Sequence, residues 1–165
     1  MKIHIIGGSG TGKSYIANKI SEKYNIPHTD LDDIFWDNSS DSYGTKAPLD
    51  ERLKKLNKIL DENDNWVIEG VYYEWLKDSF NAADLIFVLD IPPITFNRRI
   101  VLRFIKRKLG IQKGKKETFN SLKNLLKWTN NYSKYELPKI LNFLKPYNEK
   151  VILIDNGKEI WEHLQ

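Results

Sequence analysis

Short apolar segments alternate along the chain with longer stretches whose apolar residues recur at helical spacing. Strands buried on both faces are predicted for five segments rich in Ile, Val, Leu and Phe: Lys2–Ile6, Ile26–Thr29, Trp66–Glu69, Asp84–Asp90 and Lys150–Ile154. Helices are predicted over Gly12–Tyr24, Leu49–Leu60, Pro93–Leu109, Leu122–Leu144 with an interruption at Pro138, and Lys158–Leu164. Trp36–Pro48 and Gly110–Lys116 are predicted to be loops. The alternation of strands and helices predicts a three-layer α/β/α fold around a parallel sheet.

The composition is that of a globular protein with a single domain. The chain has 165 residues, of which 41% are hydrophobic and 12% aromatic, and this is enough for a normal core. Because there is no cysteine, disulfides, thiolate nucleophiles and cysteine-ligated zinc are excluded. The three histidines, His4, His28 and His163, show no metal-ligand spacing. There is no run of about 18 apolar residues and no signal-peptide pattern at the start, so we expect a cytoplasmic protein without a membrane partner.

The charge is distributed unevenly along the chain. The segment from Arg98 to Lys150 contains 15 Lys and Arg against 3 Glu, a net charge of +12, within a chain whose total is +4. A basic segment opposed to an acidic remainder suggests an anionic ligand, which could be a nucleotide or a nucleic acid. A solvated, lysine-rich helical surface is the alternative explanation.

The strongest motif follows the first predicted strand. The sequence GGSGTGKS fits the phosphate-loop pattern G-x-x-x-x-G-K-[ST] at every fixed position, and a helix is predicted directly after it. Glycines let backbone N–H groups turn towards a phosphate, and the helix presents its positive end to the same anion. Lys13 is expected to reach the β- and γ-phosphates of ATP, and Ser14 to hold Mg²⁺. The predicted nucleotide-binding residues are Gly7, Gly8, Ser9, Gly10, Thr11, Gly12, Lys13 and Ser14.

With this loop, the chain resembles the nucleoside monophosphate kinase and shikimate kinase group of P-loop proteins. The resemblance implies a five-stranded parallel sheet in the order 2-3-1-4-5. In WVIEG, Glu69 takes the place of an acidic residue that orients water around Mg²⁺ or faces the acceptor; an unliganded carboxylate at the strand end is the alternative. In LDIPPITFNRRIVLR, Arg99 and Arg103 lie four residues apart on one helical face. They match arginines that clamp the triphosphate, and a basic surface helix is the alternative.

Two further segments carry this resemblance. After the last strand, Asn156 and Gly157 match a loop that contacts adenine through its backbone; an ordinary turn explains them equally well. In HTDLDDIFW, Asp32, and secondarily Asp33, match an aspartate that accepts a hydrogen bond from the substrate hydroxyl and can act as its base. The competing explanation is that Asp30 or Asp32 caps a helix that enters at Ile34.

A closer resemblance, carried by MKIHIIGGSGTGKS, IPHTDLDDIFW, WVIEGVY and the basic helix, is to bacterial topology modulation proteins. These are adenylate kinase-like P-loop proteins whose label implies an effect on DNA supercoiling. No motif in this sequence leads to that label.

The sequence departs from nucleoside monophosphate kinases in its arginines. Arg52 is the only arginine between Lys13 and Arg98, and none follows Arg107. Since acceptor phosphates are normally surrounded by arginines, an unphosphorylated acceptor with a hydroxyl or amine is favoured. Aromatic residues are available to stack on such an acceptor. The predicted acceptor site consists of Asp32, Asp33, Trp36, Glu69 and Tyr72.

The overall prediction is a Mg-ATP-dependent P-loop kinase of one domain over residues 1–165. A basic helical lid is predicted at about residues 99–135, closing over bound triphosphate. Two alternatives stay open: a nucleoside monophosphate kinase, and a nucleic-acid-associated ATPase that uses the basic segment as a DNA surface.

Overall fold

A single parallel sheet forms the centre of the protein. The computed structural model describes residues 1–37, 44–111 and 118–164. The five strands have the order β2-β3-β1-β4-β5, and all pairings are parallel. Their bounds are Lys2–Gly7 (β1), His28–Asp30 (β2), Trp66–Gly70 (β3), Leu85–Leu89 (β4) and Val151–Ile154 (β5). The predicted fold class and sheet order are therefore confirmed.

Helices connect the strands. The α-helices are Lys13–Tyr24 (α1), Asp32–Phe35 (α2), Leu49–Glu62 (α3), Lys77–Ala82 (α4), Pro93–Lys108 (α5), Phe119–Asn131 (α6) and Leu137–Phe143 (α7). A π-helical turn covers Tyr132–Glu136, and short 3₁₀ turns cover Lys145–Lys150 and Glu159–Glu162. None of the helices in the described ranges combines the length and apolar character needed to span a bilayer.

The predicted helices differ from the observed ones in three places. The long helix predicted at Leu122–Leu144 is divided into α6, the π turn and α7, which begins one residue before Pro138. Proline has no N–H to continue the α-helical ladder, and the Leu137 N–H donates instead to the Tyr132 carbonyl five residues back. The helix predicted at Lys158–Leu164 is only a 3₁₀ turn, and α4 was not predicted. Parts of the two predicted loops, residues 38–43 and 112–117, lie outside the described residues.

Each face of the sheet is covered by its own apolar cluster. On one face, Ile3 and Ile5 of β1 pack with residues of α1 and α5. On the other, Ile6 packs with residues of α3, α4 and α7. Because side chains alternate along β1, this strand is buried on both sides, which explains its nearly continuous apolar sequence. The carboxyl ends of all five strands meet at one edge of the sheet, the position where parallel α/β sheets bind ligands.

Candidate active site at the carboxyl edge of the sheet

The phosphate loop joins β1 to α1 at this edge. Gly10 and Gly12 have φ angles of 81° and 100°, in the left-handed region that favours glycine. The Thr11 hydroxyl donates to the Gly8 carbonyl at 2.8 Å and fixes the turn. Gly12 is the N-cap residue of α1, which begins at Lys13. The loop thus places the amino end of a 12-residue helix towards the space above the sheet.

The loop is held tightly by the helices that follow β4. A Cβ atom at Gly8 would lie 2.8 Å from Cδ1 of Tyr132, in the π turn, and one at Gly10 would lie 2.8 Å from Cγ1 of Ile100, in α5. These glycines are therefore required by close packing, independently of any phosphate. Tyr132 and Ile100 therefore pack directly against the phosphate loop.

A cavity of about 370 Å³ lies between the loop and α5. The Arg99 guanidinium donates from Nη1 to the Thr11 carbonyl at 2.7 Å, so this arginine is fixed at the rim of the loop. Arg103, one turn further along α5, lines the same cavity, in keeping with their shared helical face. Its other polar lining residues include Lys13, Ser14, Asp30 and Asp32. Cations and hydroxyls suited to phosphate oxygens thus share one space with carboxylates from β2 and α2.

Glu69, at the end of β3, is the only fully buried carboxylate among the described residues. Its Oε2 lies 3.5 Å from Lys13 Nζ, and its Oε1 lies 3.8 Å from His28 Nε2. Burial opposes its charge, but the His28 imidazole, the Lys13 ammonium and the Ser14 hydroxyl together hold the pKa of Glu69 below its usual value. The carboxylate is therefore ionised and directed at the phosphate loop.

Two aspartates stand beside Glu69. Asp30 is paired with Glu69 across β2 and β3, and burial, followed by the charges of Glu69 and Asp32, raises its pKa to about 6. Asp30 Oδ1 accepts the Asp32 N–H at 2.9 Å, so the helix-capping function belongs to Asp30. Asp32 is the first residue of α2 rather than its cap. Its Oδ1 instead accepts a 2.7 Å hydrogen bond from the Tyr72 hydroxyl, and Asp32 itself lines the cavity above the loop.

A second cavity, of about 520 Å³, continues from the phosphate loop towards the end of β5. Arg99 and Gly12 line both this cavity and the one above the loop. Asn156 and Gly157 line it, and Trp161 adds a flat aromatic face. The Asn156 side chain accepts the Lys158 N–H at 3.2 Å and so closes the turn itself.

A third cavity, of about 340 Å³, lies on the other side of the phosphate loop from the second cavity. It is located between α2, α3 and the segment after β3. The Tyr72 ring stacks on Phe35 with centroids 4.1 Å apart. The Arg52 guanidinium carbon lies 4.9 Å from the Phe35 ring centre and 5.4 Å from that of Trp75. Lys46 also lies over Phe35. This cavity combines aromatic faces with two cations.

The structure brings most of the predicted site residues together, but not all of them. Asp33 is exposed and Trp36 packs edge-on against Phe35, and neither lines any of the three cavities. Conversely, the sequence interpretation did not place Trp161 or His28 at the site. The only sequence signal for these two residues is their position. Trp161 follows β5 and His28 begins β2, and each lies close in the chain to residues that are predicted to belong to the site.

Comparison with known proteins identifies the family. A family model described as AAA domain matches residues 3–120, well over half of the chain. The chain belongs to this AAA domain family. The AAA domain is a P-loop NTPase fold, in agreement with the sheet order and with the phosphate loop after β1.

Individual proteins are similar to part of the chain. The uncharacterized protein YqaC of Bacillus subtilis is 33% identical over 90 residues, which cover 54% of this chain and 49% of YqaC. An adenylate kinase of Clostridium kluyveri is 31% identical over 116 residues, covering 56% of this chain and 54% of that enzyme. An adenylate kinase of Lachnoclostridium phytofermentans is 47% identical over 62 residues, which cover 38% of this chain and 29% of that enzyme. The chain spans about half the length, or less, of these relatives. Together with the AAA domain match, they support an adenylate kinase-like P-loop family.

Proposed function

We propose that the protein is a Mg-ATP-dependent phosphotransferase that moves the γ-phosphate of ATP to a small acceptor bearing a hydroxyl or an amine. The observation that carries this proposal is the cavity above the phosphate loop. Lys13, Arg99, Arg103 and Asp32 all line this cavity. Groups that bind a triphosphate and a group that can take up an acceptor proton therefore face the same space.

The nucleotide lies along the two connected cavities. The backbone of Gly7–Ser14 surrounds the β-phosphate, and Arg99 and Arg103 bind phosphate oxygens from α5. The base lies in the cavity beside Gly157 and Trp161, where the aromatic face is available for stacking. Arg99 borders both cavities, so it contacts the nucleotide where base and phosphates join.

The donor set beside the loop fits Mg²⁺. The Ser14 hydroxyl and the ionised Glu69 carboxylate offer the hard oxygen ligands that this ion prefers. Ser14 would hold the ion directly and Glu69 through water. When bound, the ion neutralises charge on the phosphate oxygens.

Asp32 is the candidate base. The acceptor oxygen attacks the γ-phosphorus, the bond from that phosphorus to the β–γ bridging oxygen breaks, and ADP leaves. The proton released from the acceptor goes to the Asp32 carboxylate, which the Tyr72 hydroxyl holds in place through its 2.7 Å hydrogen bond. Lys13 and the two arginines stabilise the negative charge on the transferred group.

A nucleoside monophosphate acceptor is the second candidate. It is favoured by the cavity beside Tyr72, where Arg52 and Lys46 offer cations next to aromatic rings. An acceptor phosphate would bind there through Arg52, while its base would stack on an aromatic face.

A phosphotransfer screen with γ-labelled ATP tests the activity and separates the two acceptors. The panel contains nucleosides, nucleoside monophosphates, sugars and small hydroxy acids. Lys13→Ala should weaken ATP binding roughly 10- to 100-fold, the equivalent of one charge-assisted contact, and remove transfer. Lys19→Ala, on the exposed side of α1, is the matched control and should leave both unchanged. Wild-type ATP affinity in a folded Lys13→Ala protein would refute the nucleotide site.

Arg52→Gln distinguishes the acceptor classes. If the acceptor carries a phosphate, this change should raise the KM for that acceptor at least tenfold, in line with the loss of a hydrogen bond to a charged group, while the KM for ATP stays constant. An unphosphorylated neutral acceptor should show little change in KM.

A further inference from the structure

His28 connects the buried Glu69 to the surface of α1. Its Nδ1 lies 3.0 Å from Oδ1 of Asn18, and its Nε2 lies 3.8 Å from Oε1 of Glu69. The His28 side chain is 17% exposed and the Glu69 side chain is fully buried. Asn18, His28, Glu69 and Lys13 thus form a continuous row beneath the phosphate loop.

His28 turns its Nε2 atom towards the buried carboxylate. Its Nδ1 lies at hydrogen-bond distance from Asn18 Oδ1, so the ring is oriented from the α1 side. The 3.8 Å between Nε2 and Oε1 of Glu69 is within ion-pair distance but beyond a hydrogen bond. His28 is therefore a polar neighbour of a fully buried carboxylate, in a position to balance its charge.

Glu69 needs His28 as a second partner because Lys13 interacts both with Glu69 and with the phosphates of a bound nucleotide. Among the described residues, Lys13 and His28 are the basic side chains within ion-pair distance of Glu69. A phosphate-loop lysine binds the β- and γ-phosphates when nucleotide is present. Drawing Lys13 towards the phosphates weakens its contact with a fully buried carboxylate, and a buried charge that loses its partner is strongly destabilising.

We propose that His28 is a positioning residue which keeps the charge of Glu69 compensated when Lys13 turns from Glu69 to the phosphates of a bound nucleotide. This inference rests on the proposed nucleotide site and adds a residue to it. Asn18 fixes the orientation of the imidazole, in the manner of an outer residue that orients a ligand. The coupling runs from His28 through Glu69 to Lys13, so it requires the carboxylate.

A double-mutant cycle on nucleotide affinity tests the coupling. The probe is the non-hydrolysable analogue β,γ-imido-ATP, titrated calorimetrically in the presence of EDTA so that no metal ion contributes. His28→Phe should weaken binding roughly tenfold, on the scale of one interaction with a charged group. In the Glu69→Gln background the same change should alter affinity less than about twofold, because no buried charge is left to compensate. His163→Phe, an exposed histidine near the end of the chain, is the matched control.

Conservative variants keep the test decisive if His28→Phe does not fold. His28→Gln retains an N–H donor and should recover most of the affinity, whereas Asn18→Ala should show a smaller loss in the same direction. The proposal is overturned if the histidine variants bind the analogue as tightly as wild type, or if they lose equal affinity with and without the Glu69 carboxylate. If the wild-type protein itself does not bind the analogue, the nucleotide site is refuted, and that result is distinct from a failure of the His28 coupling.

Discussion

His4 gives the protein a measurable sensitivity to acid. This histidine lies in β1 three residues before the phosphate loop and is completely buried, with its ring 4.7 Å from that of Phe80. Burial, only partly offset by the Ile68 backbone and the Glu69 charge, lowers its pKa from 6.5 to about 3. The folded protein therefore keeps His4 neutral under conditions in which the unfolded chain protonates it.

The sign and size of the effect follow from proton linkage. Because the pKa is lower in the folded state, stability is complete above the unfolded value of 6.5 and is lost as the pH falls towards about 3. Within this window the free energy of unfolding falls by about 1.4 kcal/mol per pH unit. At about pH 4.5, two units below the unfolded pKa, the loss from His4 alone is about 2.7 kcal/mol.

His4→Leu isolates this contribution, because leucine is similar in size and cannot be protonated. The assay is urea unfolding of both proteins at about pH 7.5, 6.5, 5.5 and 4.5. Other groups, such as Asp30 with its raised pKa, titrate in both proteins and cancel in the difference. The stability of His4→Leu relative to wild type should rise by about 2.7 kcal/mol between the highest and lowest pH. Parallel curves for the two proteins would refute the argument.

Three further predictions concern the site and its surroundings. Asp32→Asn should reduce phosphotransfer about 100-fold, the typical scale for loss of a general base, with ATP affinity unchanged; a loss of thermal stability alone would instead assign Asp32 the task of holding Tyr72. Gly8→Ala should lower the free energy of urea unfolding by about 1–3 kcal/mol through overpacking against Tyr132. The same change should lower it less in a Tyr132→Leu background. Equal losses in the wild-type and Tyr132→Leu backgrounds would contradict a steric cause. Mg-ATP should protect residues 99–135 from hydrogen exchange if this segment is a lid; protection confined to the phosphate loop would point to a surface for another partner, with DNA the first to test.

The sheet and the phosphate loop could be predicted because both are local patterns. The strands are short apolar runs, and GGSGTGKS is contiguous in the chain. The spacing of Arg99 and Arg103 likewise depends only on helical geometry, and both line the phosphate cavity. Where the signal was local and complete, the sequence was sufficient.

The remaining features depend on how distant segments pack. His28 reaches Glu69 because β2 pairs with β3 in a register that places Thr29 opposite Ile68, and a strand of three residues carries no sequence mark of that register. Tyr132, the first residue of the π turn, packs against Gly8 although 124 positions separate the two residues in the sequence. The six-residue α4 has no capping side chain to signal its start.

The central position of β1 has a consequence for how the protein can diversify. The cavity beside Asn156 and the cavity beside Arg52 lie on opposite sides of the phosphate loop and have no residue in common. Except for Glu136, the described residues that line the Arg52 cavity lie between positions 35 and 75, and none of them lines the cavity beside Asn156. Under the proposed function, substitutions confined to these lining residues after gene duplication can create a new acceptor preference, while the nucleotide side, including Glu69, is inherited intact.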